Sequence, residues 1–148
     1  MSSERADGAA LTEPNAGGKR PARYHAFFTC FNRQLFFEAH EVLEKLWLAE
    51  RGGPEADFFQ GLIQLAAAFV HLQKGRPGPA AALLRRAQAR LHRFSGVHWD
   101  LDTSQVRSLI SEWSGKMEAG IFNVTSWARE APPELILQRD VRPGDLAD

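Results

Sequence analysis

Two apolar stretches with helical spacing constrain the fold of this chain more than any other feature. The segments FFEAHEVLEKLWL (36–48) and FFQGLIQLAAAFVHL (58–72) are apolar enough to form core helices. Gly52-Gly53-Pro54 lies between them, and glycine typically follows a helix end while proline suits the first turn of the next helix. No segment alternates between apolar and polar residues over a useful length, as a half-buried strand would. The pattern therefore predicts an all-α fold.

Glycine, proline and capping residues divide the chain into five predicted helices. The helices are predicted to cover 23–31, 34–50, 54–74, 79–94 and 102–120. Asp102 followed by Gln105 resembles a capping box at the start of the fifth helix. Because the connections are short, neighbouring helices are expected to be antiparallel, and we predict a single-domain helical bundle.

The two ends of the chain differ in composition from the predicted bundle. Residues 1–21 are small and polar, so we predict a disordered lead-in before a bundle at 22–130. The segment that starts at 131, APPELILQRDVRPGD, opens with two prolines, which hold the preceding backbone extended. For 131–148 we predict an extended arm that lies over the bundle, followed by a disordered end.

Charge and composition argue against several classes of function. The 148 residues include 18 basic and 18 acidic side chains, so no net field attracts nucleic acid or a membrane. The chain has no continuous apolar run of about 18 residues, so we expect no membrane span. The single Cys30 fits a reducing compartment, and we predict a cytoplasmic location. Homo-oligomerisation remains open.

Polar side chains interrupt both apolar helices at positions that share a face. On a helical wheel His40 falls within about 40° of the axis of Phe36, and Glu44 borders this apolar stripe. In the third helix, which is apolar on nearly all sides, the polar exceptions are separated by four and seven residues and so follow one line. We predict a buried polar seam between the second and third helices, formed by His40, Glu41, Glu44, Gln60, Gln64 and His71.

Hydrogen bonding within this predicted seam follows from the cost of burying polar groups. Buried imidazole and amide groups need partners, so we expect His40 to pair with Glu44 or Gln64. Of the carboxylates on the second helix, Glu44 is the one that we expect to be buried. Glu41 is intermediate, and Glu38 is expected to face solvent.

The two stretches also resemble a known family. FNRQLFFEAHEVLEKLW followed by FFQGLIQLAAAFVHLQKG is similar to the domain of unknown function 309 family, whose members are small helical proteins of bacteria, archaea and chloroplasts. The similarity extends over 24–94 and includes the motifs FEAHE-x-x-E-x-x-W and QGLIQ. Members of that family usually have a glycine-containing turn after the asparagine, where this chain has Arg33-Gln34. The resemblance implies an all-helical fold and no particular activity.

Two functions from different classes remain open on this sequence. The first is a non-enzymatic binding or structural module, in which the polar seam is a hydrogen-bonded part of the core. The alternative is a small metal-dependent or acid–base enzyme, hydrolase-like, that uses His40, Glu44 and His71. A histidine and a glutamate one helical turn apart can bind one metal ion. We expect no cofactor; if a divalent metal is bound, these three residues are its predicted ligands.

The fourth helix carries a basic strip. Its members are Arg85, Arg86, Arg90 and Arg93. Such a strip can bind phosphates or an acidic partner, although a solvated face paired with glutamates of a neighbouring helix is the interpretation that we prefer. No aromatic residue interleaves with the arginines, so base stacking has no support and nucleic-acid binding is not expected.

Overall fold

The computed structural model describes residues 20–120 and 132–138. These residues form five α-helices and one short β-hairpin. The helices are α1 (Ala22–Asn32), α2 (Phe36–Ala49), α3 (Ala56–Gln73), α4 (Pro77–Leu91) and α5 (Thr103–Glu118), and the strands β1 (Val97–His98) and β2 (Leu101–Asp102) lie between α4 and α5. The all-α prediction is confirmed, and the predicted helix bounds agree with these to within three residues.

The helix α3 is at the centre of the fold. Phe36 at the start of α2 stacks on Phe69 near the end of α3, with ring centres 5.2 Å apart. Phe58 at the start of α3 contacts Phe94, just after α4, at 5.3 Å. Each contact joins the start of one helix to the end of its neighbour. The helices α2 and α4 are therefore both antiparallel to α3 and parallel to each other.

A small residue on α3 allows α4 to pack closely. A Cβ atom added to Gly61 would lie 2.6 Å from Cγ of Leu91, so the Leu91 side chain would have to move. The glycine of the QGLIQ motif therefore leaves room for the Leu91 side chain against α3.

The helices α1 and α5 cover one side of α3. Phe69 makes edge-to-face contacts with Phe31 of α1 (5.7 Å) and with Trp113 of α5 (5.4 Å). Tyr24 of α1 contacts Phe59 at the other end of α3. The hydrophobic core thus lies between two layers, α2–α3–α4 on one side and α1 with α5 on the other. Burial of each large apolar side chain there contributes about 1.5–3 kcal/mol.

The hairpin that precedes α5 is not predicted by the sequence pattern. Its two turn residues, Trp99 and Asp100, both have positive φ (50° and 64°), as a two-residue type I′ turn requires. The Tyr24 hydroxyl donates a hydrogen bond to the carbonyl oxygen of Trp99 (2.7 Å). Burial raises the pKa of the Tyr24 phenol well above its usual value, so this group remains a donor. The Arg20 guanidinium lies 4.7 Å from the Trp99 ring centre.

Residues 132–138 form an extended arm, as predicted. Pro133, Leu135 and Leu137 are buried, while the residues between them are exposed. Two side-chain amides bind the arm backbone. Asn32 donates to the carbonyl of Leu135 and accepts from its N–H, both at 2.8 Å. Gln105 makes the same pair of bonds with Ile136, at 2.8 and 3.0 Å. The arm is therefore fastened to α1 and to α5.

The capping box predicted at the start of α5 is only half correct. Asp102 is the N-cap, and its carboxylate accepts hydrogen bonds from the backbone N–H (3.0 Å) and the hydroxyl (2.7 Å) of Ser104. These bonds lower the pKa of the Asp102 carboxyl. Gln105, expected to bind back to the cap residue, binds the arm instead.

The predicted lead-in and the predicted end of the arm lie mostly outside the residues that the structure describes. The lead-in predicted for 1–21 lies outside the described residues except for Arg20 and Pro21, and so does the part of the arm segment after 138. Within the described ranges, none of the helices combines the length and the apolarity needed to cross a bilayer.

Candidate functional site

The polar residues of α3 lie on its outward side, between α2 and α4. Gln60, Gln64 and His71 are each half-buried, whereas the α3 residues that face α1 and α5 are buried. Their spacing places them on one line, on the side of α3 that faces away from Phe69. The predicted burial of these residues is only partial, because none of the elements in the described ranges covers this line.

The helix α2 places His40 and Glu44 beside the same line. His40 is half-buried, while Glu41 and Glu44 are exposed. The exposed Phe37 (54%) and Leu48 (50%) lie at the two ends of this surface. The expected burial of Glu44 is wrong, because the apolar side of α2 packs on α1 and α3 and leaves Glu44 beyond the edge of that contact.

Arginines of α4 form the opposite edge of this surface. Arg86, Arg90 and Arg93 line a shallow cavity of about 310 Å³ together with Gln64 and Ala89. The guanidinium of Arg90 donates to the Asp57 carboxylate at 2.6 Å, and Arg93 binds the other oxygen of the same carboxylate.

Not all of the predicted basic strip shares this edge. Arg85 lines a separate cavity, on the side of α4 that faces Ser114 and Met117 of α5. The arginines of the strip were also expected to pair with glutamates. Two of them pair with Asp57 instead, and Arg86 has no ion-pair partner within residues 20–120 and 132–138.

We call the outward surface of the α2–α3–α4 layer the motif face. It has an acidic and apolar edge on α2, a polar line along α3 and a basic edge on α4. Its residues are Phe37, His40, Glu44 and Leu48 of α2, Gln60, Gln64 and His71 of α3, and Arg86, Arg90 and Arg93 of α4. Five of the six residues that the sequence singles out as a polar seam lie on this face, whereas Glu41 lines a cavity on the flank of α2 with Arg23 of α1, Glu38 and Lys45.

Three side chains of the motif face have a buried polar atom without a protein partner. These atoms are Nδ1 of His40, Oε1 of Gln64 and Nδ1 of His71. The expected bond from His40 to Glu44 or Gln64 is not formed within the described part of the chain. An unpaired buried polar group costs about 1–3 kcal/mol. Among the described residues, these three atoms therefore share no hydrogen bond with one another.

The three predicted metal ligands do not converge on one point. Since Phe36 lies level with Phe69, His71 and His40 are about six residues apart along the antiparallel pair, which is about 9 Å at 1.5 Å per residue. Ligands of one zinc ion each lie about 2 Å from the metal. In the ranges 20–120 and 132–138, no three His, Cys, Asp or Glu side chains are grouped closely enough to hold a metal ion.

A comparison with family models identifies the segment that carries these motifs. The model of the domain of unknown function (DUF309) matches residues 24–83. Over these residues the chain is similar to the DUF309 family. No curated protein and no solved structure matches the chain significantly. The DUF309 segment contains most of α1, all of α2 and α3, and the first part of α4. It thus includes the acidic edge and the polar line of the motif face, whereas the arginines of the basic edge follow it.

Two residues of the DUF309 segment have roles that the sequence did not reveal. Asn32, the asparagine of the motif, binds the arm, and the arm is 103 residues away in the chain. Gln34, in the turn that follows this asparagine, has a φ of 65°. The absence of glycine from this turn could have indicated the unusual backbone conformation of Gln34. No nearby feature of the sequence indicated that Asn32 binds the arm.

A polar pair outside the motif face was also missed. The imidazole Nε2 of His98 lies 2.5 Å from a carboxylate oxygen of Glu55, and the His98 ring packs against Phe58 (4.6 Å) and Phe94 (4.7 Å). Glu55 precedes α3 and His98 is in β1, so the pair forms only through the hairpin that the sequence did not predict.

Proposed function

We propose that this protein is a non-enzymatic binding module and that the motif face is its binding surface. The observation that carries the proposal is the position of the motif residues. Glu44 is exposed, and His40, Gln60, Gln64 and His71 are half-buried along one surface. A motif whose role is only to fill the core would place these side chains inside the two layers.

The composition of the motif face is that of a surface which binds another macromolecule. Phe37 and Leu48 are about half exposed, and exposed large apolar side chains that are surrounded by polar residues are typical of interaction sites. Charged side chains between and beside them supply specificity more than affinity. The cavity lined by Gln64 and the arginines is open and shallow, unlike the deep apolar pocket of a typical small-molecule site.

Site-specific crosslinking in the producing cell tests this proposal. A photoreactive p-benzoylphenylalanine is introduced at Leu48, which faces outward on the motif face. On irradiation, we expect discrete adducts of higher mass that a gel resolves and mass spectrometry identifies, because the probe would lie against a bound macromolecule.

Ala49 supplies the matched control for this experiment. It is also exposed and is the next residue in the chain, but it points about 100° away around the helix. The same probe at Ala49 is expected to give no discrete adduct. If neither Leu48 nor Phe37 gives an adduct when replaced by the probe, the motif face is not a binding surface and the proposal is wrong.

A further inference from the structure

From the charges around the cavity on α4, we infer that this cavity binds a phosphate monoester that a partner protein carries. The cavity is the one lined by Gln64, Ala89 and the three arginines of the basic edge. This assignment rests on the proposed function, because it names the chemical group through which a partner binds the motif face. The phosphate group is bound by Arg86, Arg90 and Arg93.

The cavity has a surplus of positive charge. Asp57 accepts hydrogen bonds from both Arg90 and Arg93, so one carboxylate is shared by two guanidinium groups. Arg86 has no ion-pair partner within residues 20–120 and 132–138, and no other carboxylate of these ranges pairs with the three arginines. Together with Asp57 the arginines therefore carry a net charge of about +2. A phosphate monoester carries about −1.5 to −2 at neutral pH, which matches this surplus.

The contacts with Asp57 leave donors of Arg90 and Arg93 available. Each contact uses the Nη1 atom of the arginine, whereas a guanidinium also has N–H donors on Nε and Nη2. Those other atoms have no hydrogen-bond partner among the described residues. Asp57 also holds the two guanidinium groups beside the cavity, so less side-chain entropy is lost when a ligand binds.

The number and direction of the donors favour a tetrahedral group. Arg86, Arg90 and Arg93 follow one side of α4 at spacings of four and three residues, and Gln64 approaches the same cavity from α3. A phosphate monoester presents three oxygen atoms that accept hydrogen bonds, whereas a carboxylate presents two oxygens in one plane. Three guanidinium groups can therefore each bind a different oxygen of one phosphate.

Gln64 supplies a further polar contact at this cavity. Its Oε1 atom is buried and has no hydrogen-bond partner within the described part of the chain. No hydrogen bond there fixes the orientation of the amide, because neither of its polar atoms is paired with a described residue. The amide can therefore turn and donate through its NH2 group to a phosphate oxygen in the cavity.

The surroundings of the cavity favour a protein as the carrier of the phosphate. Nucleic acids present phosphodiesters, which carry a single negative charge each along an extended backbone, whereas the basic edge is one compact cluster. Phe37 and Leu48 are exposed on the same face, and large apolar side chains suit contacts with another protein. The cavity is open and shallow, so a small phosphate ester would bury little of its surface there.

A titration of the full chain with small anions tests the chemistry of the cavity. Methyl phosphate, dimethyl phosphate and acetate are added separately at constant ionic strength, at about pH 7.5, where a phosphate monoester is largely dianionic. Proton–nitrogen correlation NMR spectra are recorded at each step. We expect methyl phosphate to shift the signals of Gln64 and Ala89 with a Kd of about 1–10 mM. Dimethyl phosphate and acetate carry one negative charge each, so we expect them to bind at least about fivefold more weakly.

Arg86→Gln and Arg85→Gln form a matched pair of variants. Both arginines are exposed and adjacent in the chain, but Arg85 lines the separate cavity beside α5. Arg86→Gln is expected to weaken the binding of methyl phosphate at least about tenfold, because charge-assisted hydrogen bonds are lost. Arg85→Gln is expected to change the Kd by less than about twofold, since solvent and salt screen a charge on the other side of the helix. Circular dichroism and urea denaturation check that both variants keep the fold.

The crosslink from Leu48 tests the source of the phosphate. Mass spectrometry of the adduct is expected to find a phosphorylated residue in the partner protein. Combining the Leu48 probe with Arg86→Gln is expected to reduce the yield of the adduct at least about fivefold, because one side of a desolvated charge pair is removed. Combining it with Arg85→Gln is expected to leave the yield unchanged.

Several results would overturn this assignment while leaving the proposed function intact. These are an absence of shifts with methyl phosphate at up to about 50 mM, acetate that binds as tightly as methyl phosphate, and equal losses of affinity in the two arginine variants. Adducts from Leu48 that contain only unphosphorylated protein would do the same. If methyl phosphate binds but neither Leu48 nor Phe37 gives an adduct, the cavity takes a free phosphate ester, and both the partner protein and the proposed function are refuted.

Discussion

Gln34 has a left-handed backbone conformation (φ 65°) in the turn between α1 and α2. Its N–H donates to the carbonyl of Phe31 (3.0 Å), and its own carbonyl accepts from the Gln73 side chain (3.1 Å). The turn therefore closes α1 and also contacts the end of α3. A residue with a Cβ atom is disfavoured in this conformation by about 1–2 kcal/mol.

Replacing Gln34 with glycine is expected to stabilise the protein. Gln34→Gly removes the steric cost of the left-handed conformation, and the larger conformational entropy of glycine in the unfolded chain offsets part of the gain. We expect the free energy of unfolding, measured by urea denaturation, to rise by up to about 1 kcal/mol. Arg33→Gly is the control. Its φ is −97°, so glycine there only adds unfolded-state entropy and is expected to destabilise. A Gln34→Gly variant that loses as much stability as Arg33→Gly would contradict the explanation.

At the scale of single residues, the sequence predicts which residues share a side of a helix but not how exposed they are. The helical wheel correctly places Gln60, Gln64 and His71 on one line. The wheel wrongly predicts that Glu44 is buried. It shows which side of a helix is apolar, but it does not show whether a neighbouring helix covers the residues at the edge of that side. Nor does it show that the line on α3 is accessible, since that depends on α2 and α4 leaving a gap above α3.

At the scale of elements, the arm is attached mainly through backbone hydrogen bonds. The amides of Asn32 and Gln105 bind the backbone of Leu135 and Ile136 as a neighbouring strand would. The N–H of Gln138 donates to the carbonyl of Asp100 in the hairpin turn (2.6 Å). Because side-chain amides replace a β-strand here, the arm remains attached with few strand contacts.

Removing one of the two amides tests this account of the arm. Asn32→Ala leaves the N–H and the carbonyl of Leu135 without their partner next to a buried side chain. We expect the free energy of unfolding to fall by about 1–3 kcal/mol in urea denaturation. Gln138→Ala is the control, since its side chain is exposed and its bond to Asp100 uses the backbone; it is expected to change stability by less than about 0.5 kcal/mol. If the free energy of unfolding falls equally for the two variants, stability depends on any change in the contacts of the arm and not specifically on the Asn32 amide.

The elements differ in how well the sequence predicts them. The five helices follow from apolar spacing together with glycine and proline at their ends, and these local signals are strong. The hairpin has no such signal. Its turn, Trp99-Asp100, lacks the glycine or asparagine that a type I′ turn normally contains, and contacts from Tyr24 and Arg20 hold it. Those contacts bring together residues that are far apart in the chain.

At the scale of the whole molecule, stability depends on the contact between the two layers. Phe69 is fully buried and touches Phe31, Phe36 and Trp113, which belong to α1, α2 and α5. One α3 side chain thus joins three other helices. The motif face is on the opposite side of α3, so the core and the proposed binding surface use different residues of the same helix.

Phe69→Ala is therefore expected to be among the most damaging single substitutions. Large-to-small changes at buried phenylalanines cost about 3–5 kcal/mol because a cavity remains, and we expect a loss of this size in the free energy of unfolding. Val97→Ala is the control, as Val97 is 55% exposed, and a change below about 0.5 kcal/mol is expected. A loss of less than about 1 kcal/mol for Phe69→Ala would mean that the layers are not joined through this ring.

The opposite charges of Glu44 and of Arg86, on the two edges of the motif face, form a local dipole across this face. Basic and acidic residues are equal in number over the whole chain, so at neutral pH this dipole is not masked by a net charge. Molecules of a neutral protein with separated charges attract one another most strongly in dilute buffer, because the screening length is about 30 Å at 0.01 M salt. At 0.1 M salt the screening length is about 10 Å, and the attraction is much weaker. The solubility of the protein near pH 7 should therefore increase when salt is added. An ion-exchange resin of either sign should retain the protein in dilute buffer, because a cation exchanger can bind the basic edge and an anion exchanger can bind the acidic edge.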